Sequence, residues 1–230
     1  ASLLSEAQKE AARGAVEVRG KLRLSMPAVM GHRWLSALLA EFASNHPQVT
    51  LEVEYSDRIA DIVGERFDAA IRIGELADSR LVATKLCNHF RVLCASPAYL
   101  DRYGTPRIPE DLVRHNCLGF TGLLSYPEWD LTPSDVRPRP AALRQRVDSH
   151  RVRINGSITS NDNEALLTAA LVGVGIVAGG DWLLAPHVAT RALTRVLPKW
   201  QLGTSGGIYL VRPSAQFSTA ALSAFKQHVE

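Results

Sequence analysis

Residues 67–86, FDAAIRIGELADSRLVATKL, decide how the chain is read. Ala69 to Ile73 is apolar apart from Arg72, with acids on both sides, and Gly74 ends the run. A short, almost wholly apolar segment is the mark of a strand covered on both faces, as in a parallel sheet. Arg72 then stands near the carboxyl end of that strand, the edge at which α/β sheets bind ligands. Two roles are open to it: pairing with an acid such as Asp57 or Glu75 at the rim, or gripping an acidic ligand.

The residues before this strand supply its partners. KLRLSM (21–26) alternates apolar and polar residues until Pro27 stops it. Trp34, Leu35, Leu38, Leu39 and Phe42 mark one face of a helix ending before NHP, and Val49, Leu51, Val53 and Tyr55 alternate as the next strand. Asp57 is expected to cap a helix carrying Ile59, Ile62 and Val63. Strand, helix, strand, helix, strand implies parallel pairing through crossovers, an α/β lobe. Upstream, residues 2–18 read as the end of a longer helix with a stripe of small residues, which needs a partner to lean on.

A second α/β lobe follows. RVLCAS (91–96), CLGF (117–120) and WDL (129–131) are strand candidates, 166–172 a strongly apolar helix, and VGIVA (174–178) a buried strand. GGIYLVRP (206–213) is a strand and 218–229 a last helix.

The chain has 230 residues, 46% hydrophobic and 21% charged, with a formal net charge of +3. That is enough to bury a core and too little charge to argue for nucleic-acid binding by this chain alone. No apolar run reaches the ~18–20 residues of a membrane span, and the first twenty residues do not read as a secretory signal. The three cysteines, Cys87, Cys94 and Cys117, have no metal-ligand spacing and point to a reduced, cytosolic compartment. The seven histidines are scattered, so no metal and no cofactor is implied.

Several motifs are decoys. GTSGG (203–207) matches a nucleophile elbow in letters, yet a strand follows the serine where a helix is needed. SAFK (223–226) lacks companion motifs, and the sequon at Asn155 has no meaning without secretion. The spacing of Cys87 and Cys94 invites a redox switch, but Cys94 lies among Val92, Leu93 and Ala95 and reads as buried and inert. Six arginines between 137 and 153 have no interleaved aromatics and read as a solvated hairpin rather than a binding arm.

Two segments have the form of a ligand site. At SMPAVMG (25–31) a strand ends and a helix begins; at TSNDNEALLTAA (159–170) Asn161 and Glu164 can form a capping box at another helix start. Unpaired N–H groups at helix starts donate to anionic oxygens. Asp162 and Glu164 already place negative charge at the second, so dipole compensation is the competing reading.

GKLRLSMP (20–27), LLAEFASNHPQVTLEVEYSDRIADIVGERFDAAIRIGELADSRLVATKL (38–86), VLCASPAYLDRYGTPRIPEDLVRHNCLGF (92–120) and SNDNEALLTAALVGVGI (160–176) together resemble the effector-binding region of LysR-type transcriptional regulators. The resemblance implies an α/β fold of two Rossmann-like lobes with a central cleft, like type 2 periplasmic binding proteins, and no enzymatic activity. It implies a linker-helix end at 1–20, lobe I from 21–86 plus 188–230, and lobe II from 87–187. Effector contacts are then expected at Pro27, Ala28, Val29 and Met30, at Ser56, at Phe120 and Thr121, and at Asn161 and Asp162. The implied partners are a small carboxylate or aromatic acid, DNA through an N-terminal winged helix-turn-helix outside these residues, and further copies of the chain in a homodimer or homotetramer. Two departures stand out: PAVM replaces a loop that carries a hydroxyl in many relatives, and Gly179-Gly180 replaces Leu-Pro. The competing reading is a periplasmic solute-binding protein of the same architecture.

Overall fold

The computed structural model describes residues 18–58, 61–74, 81–123, 125–134, 149–203, 206–214 and 218–230. The helix expected over 2–18 therefore lies outside the described residues except for Val18, as do Glu75 and most of the arginine-rich segment.

The chain divides into two compact units. Unit 1 takes Ala1–Arg72, Asp78–Leu86 and Leu210–Glu230, and unit 2 takes Ile73–Ala77 and Cys87–Tyr209. In chain order the strands are β1 Gly20–Met26, β2 Val49–Tyr55, β3 Ala69–Gly74, β4 Leu81–His89, β5 Arg91–Ala95, β6 Cys117–Phe120, β7 Glu128–Pro133, β8 His150–Arg153, β9 Thr159–Ser160, β10 Ile176–Gly180, β11 Thr194–Val196, β12 Trp200–Leu202 and β13 Gly206–Pro213. The helices are α1 Ser36–Asn45, α2 Pro97–Tyr103, α3 Asn163–Leu171, α4 Asp181–Ala189 and α5 Ala220–Val229. Two further helical segments, Ala28–Met30 and a π-type turn Gly31–Leu35, lead from β1 into α1.

One five-stranded sheet has the order β2-β1-β3-β13-β4. β1 pairs in parallel with β2 from Gly20↔Val49 to Met26↔Tyr55, and in parallel with β3 at Leu24↔Ala69. β1 is an inner strand between β2 and β3, and Ser25, polar by the alternation of the sequence, is 0% exposed beside Leu24 and Met26. β3 is buried over Ala69–Ile71 and opens at Arg72. In unit 1, Phe42 of α1 meets Phe225 of α5 edge to face, ring centroids 5.3 Å apart, both fully buried. The helix expected after Asp57 is not formed over the described residues: 62–66 is a series of turns, closed by Phe67 N–H to the Ile62 carbonyl at 3.0 Å.

Unit 2 has a sheet ordered β11-β5-β10-β6-β9 and a three-stranded sheet β12-β7-β8. β10 and β6 are parallel, as are β6 and β9, while β5 is antiparallel to β10. Trp129, Leu131, Leu93, Ile176, Leu112 and Tyr99 centre its core. Asn116 ties its start together. The side-chain amide donates to the Val174 carbonyl (2.7 Å) and Ser157 Oγ (2.9 Å), and its oxygen accepts from Ser157 N–H (2.7 Å). Residues 188–209, placed in lobe I by the sequence reading, group with unit 2 instead. The reason is pairing: β11 lies on β5 and β12 on β7, from Trp200↔Pro133 to Leu202↔Leu131.

Phe42→Ala removes a fully buried ring from the contact between α1 and α5. It is expected to cost about 3–5 kcal/mol in urea denaturation, the range for emptying an aromatic core position.

Candidate functional site

In unit 1, β1 and β2 end side by side, and Ser56 N–H donates to the Met26 carbonyl at 2.9 Å. Pro27 and Ser56, the residues just past the two strand ends, are therefore neighbours. Pro27, Ala28 and Val29 are half-buried, and Met30 is 4% exposed and points into the core. Gly31 N–H closes the first turn on the Pro27 carbonyl (2.7 Å). The free N–H expected at this helix start is already engaged: Ala28 N–H donates to Asp57 Oδ1 at 3.0 Å. Asp57 thus caps the helix that follows β1, rather than the one expected after itself.

Unit 2 repeats the device. β6 and β9 run parallel with Phe120 opposite Ser160, and Thr121 N–H donates to the Ser160 carbonyl at 2.9 Å. Thr121, Asn161 and Asp162 are exposed beyond the strand ends, while Phe120 is buried. The cap of α3 is Asp162 and not Asn161: its carboxylate accepts from Glu164 N–H at 2.8 Å, and Ser160 Oγ accepts from Asp162 N–H at 2.9 Å. Among the expected contacts, then, five cluster in unit 1 and four in unit 2, each set at the carboxyl edge of a parallel strand pair. At both helix starts a carboxylate of the chain occupies one N–H, so helix-dipole compensation, the competing reading, describes those groups.

Arg72 is half-buried at the rim of β3. Burial pulls its pKa down, Glu65 opposes the fall and Arg58 adds to it. The acid whose field reaches it is thus Glu65, which also holds Arg58 through two hydrogen bonds of 2.8 and 2.7 Å. Glu65 is kept below the usual carboxylate range chiefly by that Arg58 contact.

The decoys behave as structural residues. Ser223 Oγ lies 2.8 Å from Ser218 Oγ, and Lys226 pairs with Glu230 at 3.5 Å. A strand, β13, begins at Gly206, although Thr204 and Ser205 fall outside the described residues. Arg151 is held by Asp130 at 2.7 Å and Glu128 at 3.4 Å. Cys94 and Cys117 are buried, and burial pushes both thiols up to about 12, which leaves them unreactive. Among the described residues no group of three or more His, Cys, Asp or Glu can hold a metal, and no helix is long and apolar enough to cross a membrane.

One set of polar residues escaped the sequence reading. His89 is 5% exposed, and its pKa falls to about 4, first through burial and then through the charge of Arg91. The Arg91 guanidinium carbon stands 5.1 Å from the centroid of the Phe120 ring. The only signal in the sequence was the Gly179-Gly180 departure nearby.

Two α/β units built on parallel strands are the fold class of type 2 periplasmic binding proteins, which the regulatory domains of LysR-type regulators share. The family model "LysR substrate binding domain" matches residues 15–230. The chain belongs to this family, as the effector-binding domain of a LysR-type transcriptional regulator. It is 34% identical over 211 residues to the HTH-type transcriptional regulator PtxR of Pseudomonas aeruginosa, covering 91% of this chain and 63% of that protein. An HTH-type transcriptional regulator of Xanthomonas campestris is 34% identical over 187 residues, 79% of this chain and 51% of that protein. The chain thus spans between half and two thirds of these relatives' lengths. The regulatory domain of CrgA, a LysR-type transcriptional regulator from Neisseria meningitidis, matches with a TM-score of 0.75 at 27% identity, over 92% of this chain and 97% of that one. These relatives are named regulators, not enzymes or transport proteins.

Two measurements follow. Asp162→Ala is expected to cost about 1 kcal/mol by loss of the cap, whereas Asn161→Ala leaves that cap in place; urea melts of the two variants separate them. For His89, the folded pKa of about 4 lies below the unfolded value of about 6.5, so the unfolded state binds the proton first. Stability present above pH ~6.5 is lost as pH falls toward 4, by on the order of 3 kcal/mol in total. Thermal melts of His89→Leu over that window are expected to show a flatter pH dependence than the wild type.

Proposed function

We propose that this domain senses a small acid, a carboxylate or aromatic acid, with contacts drawn from both units: Pro27, Ala28, Val29, Met30 and Ser56 from one, Phe120, Thr121, Asn161 and Asp162 from the other. The observation that supports it is the repeated device at the strand ends, Ser56 N–H on Met26 and Thr121 N–H on Ser160, which gathers loop residues at the carboxyl edge of each sheet. That edge is where open α/β sheets bind ligands. In the whole protein, a winged helix-turn-helix N-terminal to these residues binds DNA, the chain assembles as a homodimer or homotetramer, and it works in the cytoplasm. The effector acts by binding one arrangement of the units better than another, since equal affinity for both would shift nothing.

A thermal-shift screen of this domain over small acids tests the reading. A ligand of the native state at about a hundred times its Kd adds about 2.7 kcal/mol. For an acid that stabilises the wild type, Thr121→Val and Asn161→Ala are each expected to weaken binding, Thr121→Val by about two- to tenfold for one lost hydroxyl hydrogen bond. Ser223→Ala, on α5, is expected to leave binding unchanged. No acid stabilising the domain, together with no specific DNA binding by the whole gene product, overturns the reading.

A further inference from the structure

Buried polar atoms in folded proteins nearly always have a hydrogen-bond partner, and each exception requires a physical account. Unit 2 brings two exceptions together. Neither ring nitrogen of His89, the last residue of β4, has a partner in the protein, although the residue is 5% exposed. The indole Nε1 of Trp182, in the first turn of α4, is also buried without a partner. Both side chains converge on Gly180: a Cβ there would overlap the Trp182 indole nitrogen and come 2.9 Å from His89 Cε1. Glycine at 180 is therefore what lets them meet, and it is one of the two residues that depart from the Leu-Pro of the resembled pattern.

A positive charge acts on His89. Arg91 pairs with Gly180 across the ladder, and its charge is felt at His89. The same guanidinium stands over Phe120, an expected effector contact. The start of α4 carries no side-chain cap at Gly180, and its first turn holds one acid, Asp181, whose N–H is taken by the Phe90 carbonyl at 2.9 Å. An indole N–H can only donate, a neutral imidazole donates from one nitrogen, and a guanidinium only donates. A ligand group rich in acceptor oxygens and negatively charged suits such a lining; an amine or a metal cation does not.

We propose that His89 and Trp182, backed by Arg91, form a carboxylate-binding subsite in unit 2. It rests on the effector reading above, because the carboxylate it holds is that of the small acid. The Trp182 indole and one imidazole N–H donate to the carboxylate oxygens. Since Asp57 and Asp162 already cap the two helix starts, these buried donors take over the role expected there.

The test is nuclear magnetic resonance of the 15N-labelled domain with benzoate as probe and benzyl alcohol as the uncharged control. Four tryptophans give four indole signals, and Trp182→Phe identifies the one that matters. Benzoate is expected to move the Trp182 indole signal saturably, with benzyl alcohol leaving it in place. Trp182→Phe and His89→Leu are each expected to weaken benzoate binding about tenfold, the scale of a hydrogen bond to a charged group. If His89→Leu does not fold, Trp182→Phe, which keeps an aromatic ring while removing the N–H donor, decides alone. An indole signal unmoved by benzoate, or moved equally by benzyl alcohol, overturns the subsite and leaves those atoms to ordered water only. If an acid stabilises the wild type and Trp182→Phe equally, the subsite is wrong while the effector reading stands. If no acid in the thermal-shift panel binds, both fall.

Discussion

Parallel strands cannot be joined by a tight turn; each must be reached by a crossover, and the crossover brings every strand's carboxyl end to the same edge of the sheet. That constraint organises both units. In unit 1 it brings the loop after β1 beside the loop after β2, and in unit 2 the loop after β6 beside the loop after β9. The two edges are then fastened in the same way, by the first N–H past one strand donating to the last carbonyl of its neighbour. Asn116 performs the matching task at the opposite end of β6. By satisfying Val174 and Ser157 it fixes where β6 starts, and so which residue reaches the far edge.

The same geometry presents exposed N–H groups at that edge, and the chain meets two of them itself. Asp57 and Asp162 act as local anions, each neutralising the positive end of a helical segment. A ligand carboxylate at those positions would have to displace or crowd a carboxylate already in place. The buried donors around Gly180 carry no such competitor in hydrogen-bond contact, and Arg91 links them to Phe120.

Regular patterns made the first unit legible: the alternation of Val49 to Tyr55, the apolar stripe through Phe42, and the near-continuous apolar run of β3 each correspond to an observed element. Legibility failed where a residue's setting depends on distant chain. Ser25 looks exposed by alternation and is buried on an inner strand between β2 and β3. Asn161 and Asp162 are both good capping residues, and only the turn of the backbone after β9 selects Asp162. β11 and β12 have three residues each, too few for a period to show, so the return of 188–209 to unit 2 left no trace. Among the candidate site residues, the strand-end positions came from resemblance. His89 and Trp182 came from neither pattern nor resemblance, because a lone histidine and a lone tryptophan signal nothing until β5 is laid beside β10.

The burial of Cys94 and Cys117 has a practical side. With both thiols held near 12 and shut away, the folded domain offers a maleimide reagent at neutral pH only Cys87, which is exposed just past the passage of β4 from unit 1 to unit 2. The unfolded chain offers all three. Mass spectrometry of the labelled protein therefore counts folded molecules by their stoichiometry, one adduct against three, and a dye placed on Cys87 marks the point where the chain leaves unit 1 without any engineered residue.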